Sequence, residues 1–132
     1  MAGQYCTFLL DGHLFGVPVE SIQEVLGPRD ATDVPLAPAA VRGLLNLRGQ
    51  IVTMLDMRTR LGLRPRDDAS ASTNVVVRTP DGPVSLLVDR IGEVIAPPES
   101  AFECVPEMVP AAVRSVATSV CKLERELMLV LD

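Results

Sequence analysis

Aromatic rings are scarce in this sequence: no tryptophan, one tyrosine and three phenylalanines among 132 residues. Positive charge is also short, with 12 Lys and Arg against 17 Asp and Glu, a net charge of -5. A nucleic-acid surface needs cations to neutralise phosphates and rings on which bases stack. Both shortages argue against a small-barrel nucleic-acid binder. Cysteines number three, Cys6, Cys104 and Cys121, far apart and without a C-x-x-C pair, and His13 is the one histidine. Structural zinc needs closer ligand pairs, so three free thiols are expected, two of them buried, with no metal and no cofactor. No apolar run approaches the ~20 residues of a membrane-spanning helix. The start, "MAGQYCTFLLDG", has neither a basic leader nor the long apolar stretch of a signal peptide. Cytosol is the expected compartment, without membrane insertion.

Reactive clusters are missing too. There is no G-x-S-x-G, no H-E-x-x-H and no phosphate-cradling glycine loop. His13 follows a hairpin glycine and reads as an exposed loop-tip residue rather than a general base. A non-enzyme is expected.

What the chain has is apolar content, 48% hydrophobic. That suffices for one compact domain burying roughly two-thirds of its unfolded surface. "YCTFLLDGHLFGVPV" alternates around an Asp11-Gly12 turn and predicts a hairpin. "ESIQEVL" fits either a helix or a strand with Ile22, Glu24 and Leu26 on one side. "APAAVRG" suggests one or two helical turns, with Pro38 at the start and Gly43 at the exit. "LLNL" and "QIVTMLD" read as strands joined through Arg48-Gly49, and "MRTRLG" as a short helix capped by Asp56 and closed by Gly62. Its Arg58, Arg60, Arg64 and Arg66 read as a solvated face. "RPRDDASAST" is turn-rich and is the best boundary between halves. Beyond it, "NVVV" and "VSLLV" flank an Asp81-Gly82 turn, and "AAVRSVATSVCKLERELMLVLD" reads as two strands around "LERE". Eight to ten strands are expected.

Two stretches match. "FLLDGHLFGVPVESIQEVL" and "VRTPDGPVSLLVDRIGEVI" each give a strand, an Asp-Gly turn, a second strand and Ile-x-Glu-Val. Gly12 to Glu24 spans twelve positions and Gly82 to Glu93 eleven. This weak internal repeat points to two similar β-lobes. Arg48, between two apolar runs, has two readings. Its stem lies over apolar neighbours with the head in solvent, or its planar fork is anchored by a carboxylate.

"AVRGLLNLRGQIVTMLDMRTRLGL" closely resembles the signature region of CheW-like domains, the coupling modules of bacterial chemotaxis. The shared pattern is Gly43, Asn46, Leu47, Arg48, Gly49, Asp56 and Gly62. "FGVPVESIQEVL" and "VSLLVDRIGEVI" extend the likeness over nearly the whole chain. It departs where the family has a glycine near "VRSVA" and an Asp-Gly turn at "LERE".

The resemblance implies an all-β fold of two five-stranded SH3-like barrels on a shared hydrophobic core, with short helices. With the polar boundary, it divides one domain, 1–132, into a lobe of about 12–70 and one of about 71–132, the first strand open to sharing. It implies a non-catalytic adaptor between the cytoplasmic tip of methyl-accepting chemoreceptors and the regulatory domain of the histidine kinase CheA, with assembly among CheW-like domains. Two roles on the same fold compete with it: a CheA-type kinase's own regulatory domain and an adaptor of a non-flagellar pathway. By the match, Arg48 and Glu24 form a receptor-coupling pair lining the groove between lobes. Val41, Gly43, Asn46 and Leu47 lie nearby, and Ile22 and Met108 face the kinase.

Overall fold

The computed structural model describes residues 3–65 and 72–131. Most of the polar stretch expected to separate the halves, with Arg66, lies outside the described residues. Among the described residues, eleven strands form two sheets. They are β1 (Tyr5–Leu10), β2 (His13–Pro18), β3 (Ile22–Leu26), β4 (Val41–Leu47), β5 (Gln50–Asp56), β6 (Thr73–Thr79), β7 (Gly82–Val88), β8 (Arg90–Ile95), β9 (Phe102–Glu103), β10 (Ala117–Lys122) and β11 (Leu127–Leu131). Two one-turn helices, α1 (Met57–Arg60) and α2 (Ala111–Arg114), accompany them.

Sheet order is β8-β1-β2-β11-β10-β9 in one lobe, here lobe A, and β3-β6-β7-β5-β4 in lobe B. A division near residue 70 is therefore overturned: β6 pairs with β3 and β7 with β5, so both belong with the earlier strands. Lobe A combines β1 and β2 with β8 to β11. The reason lies in the repeat. Each copy begins with an antiparallel hairpin, β1-β2 or β6-β7, and its third strand leaves for the other sheet. Thus β3 joins the β6-β7 hairpin and β8 joins β1-β2. The copies exchange strands, and the lobes cannot be cut apart at one point in the chain. Lobe A also exceeds the expected five strands, by the two-residue β9.

Both sheets roll up. Tyr5 on β1 and Phe102 on β9 are far apart in sheet order, yet their rings lie 5.4 Å apart. In lobe B the outer strands β3 and β4 are joined by a side-chain pair described below. Three apolar clusters follow from strand alternation. Leu45, Leu47, Val52, Met54, Val76 and Leu87 fill lobe B, and Cys121, Met128 and Val130 anchor lobe A. The largest lies between them, where Cys6, Phe8, Leu10, Phe15 and Val17 of lobe A meet Val75, Leu86 and Val88 of lobe B under Met57 of α1, Leu61 just after it and Val113 of α2.

Three local expectations change. "ESIQEVL" resolves as a strand from Ile22. "APAAVRG" is a turn, Val41 N–H donating to Pro38 O at 2.9 Å, because the chain from Val41 is committed to pairing with β5. "AAVR" is helical after Pro110, whose carbonyl accepts from Val113 and Arg114. Cys6 and Cys121 are buried and Cys104 exposed, all free. Burial pushes the Cys6 and Cys121 thiols up from their ordinary pKa.

Candidate functional site

The β4-β5 turn is two residues long, with Leu47 opposite Gln50. One of the two turn types that match strand twist takes positive φ at both central residues, and Arg48 and Gly49 stand at 51° and 85°. Glycine adopts this freely; arginine does so against its side-chain sterics. Asn46 steadies the turn, its Oδ1 accepting the Gly49 N–H at 3.0 Å.

Held this way, Arg48 crosses the lobe B seam to Glu24 on β3. Its Nη1 donates to Glu24 Oε1 at 3.1 Å and its Nη2 to Oε2 in a two-pronged pair. The guanidinium holds the Glu24 carboxyl below the ordinary glutamate pKa, and the carboxylate raises Arg48. The Arg48 side chain remains 66% exposed, while Glu24 is 22% exposed. Val25, next in sequence on β3, and Ile51 on β5 are exposed. Among the anchored and the solvated readings of Arg48, the anchored one describes this geometry.

Gly43 has a different task. Thr32 and Leu44 form a bridge, exchanging backbone hydrogen bonds of 2.9 and 2.8 Å, which lays the 27–40 loop across β4. A Cβ at Gly43 would stand 2.5 Å from Thr32 O. The glycine is there for close backbone approach.

A family model of the CheW-like domain matches residues 4–132. The chain belongs to the CheW-like domain family. Its relatives include the probable chemotaxis protein CheW of Rhizobium etli, 26% identical over 125 residues that cover 95% of this chain and 81% of that protein. Chemotaxis protein CheW of Treponema pallidum is 26% identical, over 98% of this chain and 78% of its own. The crystal structure of the scaffolding protein TtCheW from Thermoanaerobacter tengcongensis superposes with a TM-score of 0.90, covering 100% of this chain and 90% of that one at 24% identity. That likeness shows a shared fold.

In this CheW-like domain the residues singled out from sequence are dispersed. Leu47 is a core residue of lobe B, 9% exposed, and Val41 is half-buried opposite Leu55 on β5. Ile22 is half-buried against the inter-lobe cluster, whereas Met108 is 90% exposed. An apolar groove does run between the lobes, lined by Val17, Leu55, Val77, Val84, Leu86 and Leu131 among others. Arg48 and Glu24 are absent from its lining; they close the outer seam of lobe B instead. The expected placement of the pair in the inter-lobe groove is thereby corrected, because β3 and β4 are the outer strands of their sheet.

Sequence reasoning missed Arg58. Far from a solvated face, its side chain is 14% exposed and lies against Asp89, with Nε 2.9 Å from Oδ1. Nothing local in "DMRTR" announces a partner 31 positions away. Among the described residues, no helix is long and apolar enough to cross a membrane.

Proposed function

We propose that this CheW-like domain is a non-catalytic adaptor that couples the cytoplasmic tip of a chemoreceptor to the regulatory domain of the kinase CheA. Family membership and relatives named chemotaxis protein CheW support an adaptor in chemotaxis.

The observation that carries the coupling site is Arg48 itself. An ion pair this exposed adds little stability, and the residue occupies a conformation that glycine would adopt at lower cost. Fold maintenance does not account for an arginine here; presentation of a fixed guanidinium to a partner does. Pairing with Glu24 limits its rotamers, so less entropy is lost when a partner docks. Receptor contact is assigned to Arg48 and Glu24. Asn46 and Gly43 act by shaping the turn and the strand, and Leu47 and Val41 by supporting them from beneath.

A second group of contacts rests on exposed apolar side chains that recur in both lobes. Val25 and Val94 end the two Ile-x-Glu-Val segments, and Ile51 and Leu127 lie at the starts of β5 and β11. Leu36, in the connection after β3, and Met108, between β9 and α2, are 103% and 90% exposed. Exposed apolar side chains on each lobe suit an adaptor gripped by CheW-like domains on two sides, the kinase's among them. Met108 belongs to that contact, with Ile22 at most supporting it from its half-buried place.

The test is capture of purified receptor tip and CheA by the wild type, Arg48→Glu, Glu24→Arg and the double exchange. Loss of capture in Arg48→Glu with a melting temperature close to wild type supports the assignment. Parallel loss of capture and stability overturns it.

A further inference from the structure

The shared apolar cluster holds the lobes together, but apolar contact is non-directional. Something else must fix the angle at which they meet. The chain crosses between lobes twice in the exchanged-strand plan, and an arginine grips each crossing.

At the β2-to-β3 crossing, Arg78 Nη1 donates to the carbonyls of Glu20 at 3.0 Å and Ile22 at 2.9 Å. At the β7-to-β8 crossing the grip is charged and better shielded. Asp89 is the single residue between these strands, and its N–H donates to Leu9 O on β1 at 3.1 Å. Arg58 Nε lies 2.9 and 3.1 Å from its two carboxylate oxygens, and Nη2 lies 2.5 Å from Oδ2. Asp11, in the β1-β2 turn of lobe A, donates its backbone N–H to the same Oδ2 at 2.8 Å. Arg58 Nη1 stands 3.8 Å from Asp11 Oδ1 and donates to Arg64 O at 3.1 Å. Arg64 Nη2 completes the circuit on Asp11 Oδ1 at 2.9 Å.

Arg58 is itself fixed to lobe B. Its N–H is held by Asp56 Oδ1 at 3.0 Å at the end of β5, and the neighbouring Met57 is buried in the inter-lobe cluster. The guanidinium therefore joins α1 of lobe B, the crossing residue and the hairpin turn of lobe A at one point. A forked guanidinium on a carboxylate is directional, unlike the apolar cluster beneath it.

We propose that Arg58 is a latch: through Asp89 and Asp11 it sets the relative orientation of the two lobes, and with it the shape of the groove between them. It is a positioning residue. A small rotation of one lobe can slide apolar side chains over one another, but it must break the forked pair. This inference does not depend on which partners the domain couples.

The test compares wild type with Arg58→Ala, Arg58→Lys, Asp89→Asn and, as a control, Arg48→Ala. Residual dipolar couplings of the amides are fitted separately for each sheet. In wild type and Arg48→Ala the two sheets are expected to report one common alignment frame. In Arg58→Ala each sheet should still fit its own geometry while the two frames no longer coincide. Arg58→Lys and Asp89→Asn, which keep the side-chain size, should give smaller rotations in the same direction and serve alone if Arg58→Ala does not fold. A melting temperature that drops while the frames stay coincident would show an ordinary stabilising pair and overturn the latch. Equal rotation in Arg48→Ala would overturn it as well.

Discussion

Lobes A and B are built to one strand plan and sealed by different chemistry. Each has an exchanged strand at one edge, a hairpin beside it, a strand parallel to that hairpin, and then an antiparallel neighbour. In lobe B the final hairpin turns tightly at Arg48-Gly49 and throws an arginine onto Glu24 of the exchanged strand. In lobe A the matching turn is the longer Leu123–Glu126, where Leu123 packs on the lobe interior. The matching glutamate, Glu93, is exposed, and its carbonyl accepts Thr7 Oγ1 at 2.6 Å. One seam is polar and presented to solvent; the other is apolar and turned inward. Duplicated architecture supplies two platforms, and the turn chemistry decides which of them shows a charge.

The largest effect should come from removing what the lobes share. Phe8 is fully buried and stacks on Phe15 at 6.0 Å in the inter-lobe cluster. Phe8→Ala should cost about 3–5 kcal/mol and lower amide-exchange protection in both sheets together. Met54, 1% exposed, belongs to lobe B alone. Met54→Ala should cost about 2–5 kcal/mol, with protection lost first in β3 to β7. Denaturant unfolding and exchange by lobe read both; equal spread from Met54→Ala would mean that the lobes are energetically one unit.

Next in size is Gly43→Ala. With Thr32 O at 2.5 Å, the added methyl must displace the 27–40 loop, a crowding cost of about 1–3 kcal/mol. Exchange at Leu44 and Thr32, whose N–H groups form the bridge, should rise by at least tenfold. Unchanged exchange at both would contradict the close-approach role.

Sequence carried much of this, unevenly. Hairpins with Asp-Gly or Arg-Gly turns were legible because period-two alternation and positive-φ turn residues are local signals. The repeat was legible as likeness, but the exchange of β3 and β8 was not: the pattern of a strand does not record which sheet receives it. The Arg48–Glu24 pair was reachable through family resemblance, yet its seat on the outer seam follows from sheet order. Arg58 was misread for the same reason. Its partner Asp89 is brought to it by a crossing that only the folded chain reveals. Leu47 and Asn46 carried motif status without revealing that one is core and the other a turn brace.

The smallest effect sharpens the contrast at the seam itself. Arg48 holds the Glu24 carboxyl below the ordinary glutamate pKa, chiefly through its hydrogen bond, against a partial desolvation that pushes the other way. A lowered folded-state pKa means that the ionised form is the one favoured by folding. The pair's contribution is therefore complete above the ordinary glutamate range and disappears as the pH falls through the folded value, while Arg48 stays charged throughout. Carbon-detected titration should find the Glu24 midpoint below the ordinary value in wild type. In Arg48→Ala, with hydrogen bond and charge gone and desolvation left, the midpoint should move up, and the melting temperature near neutrality should change little because the pair is exposed. An unmoved midpoint would mean that the guanidinium does not rest on Glu24 in solution, and the lobe B seam would then be as uncharged in its closure as that of lobe A.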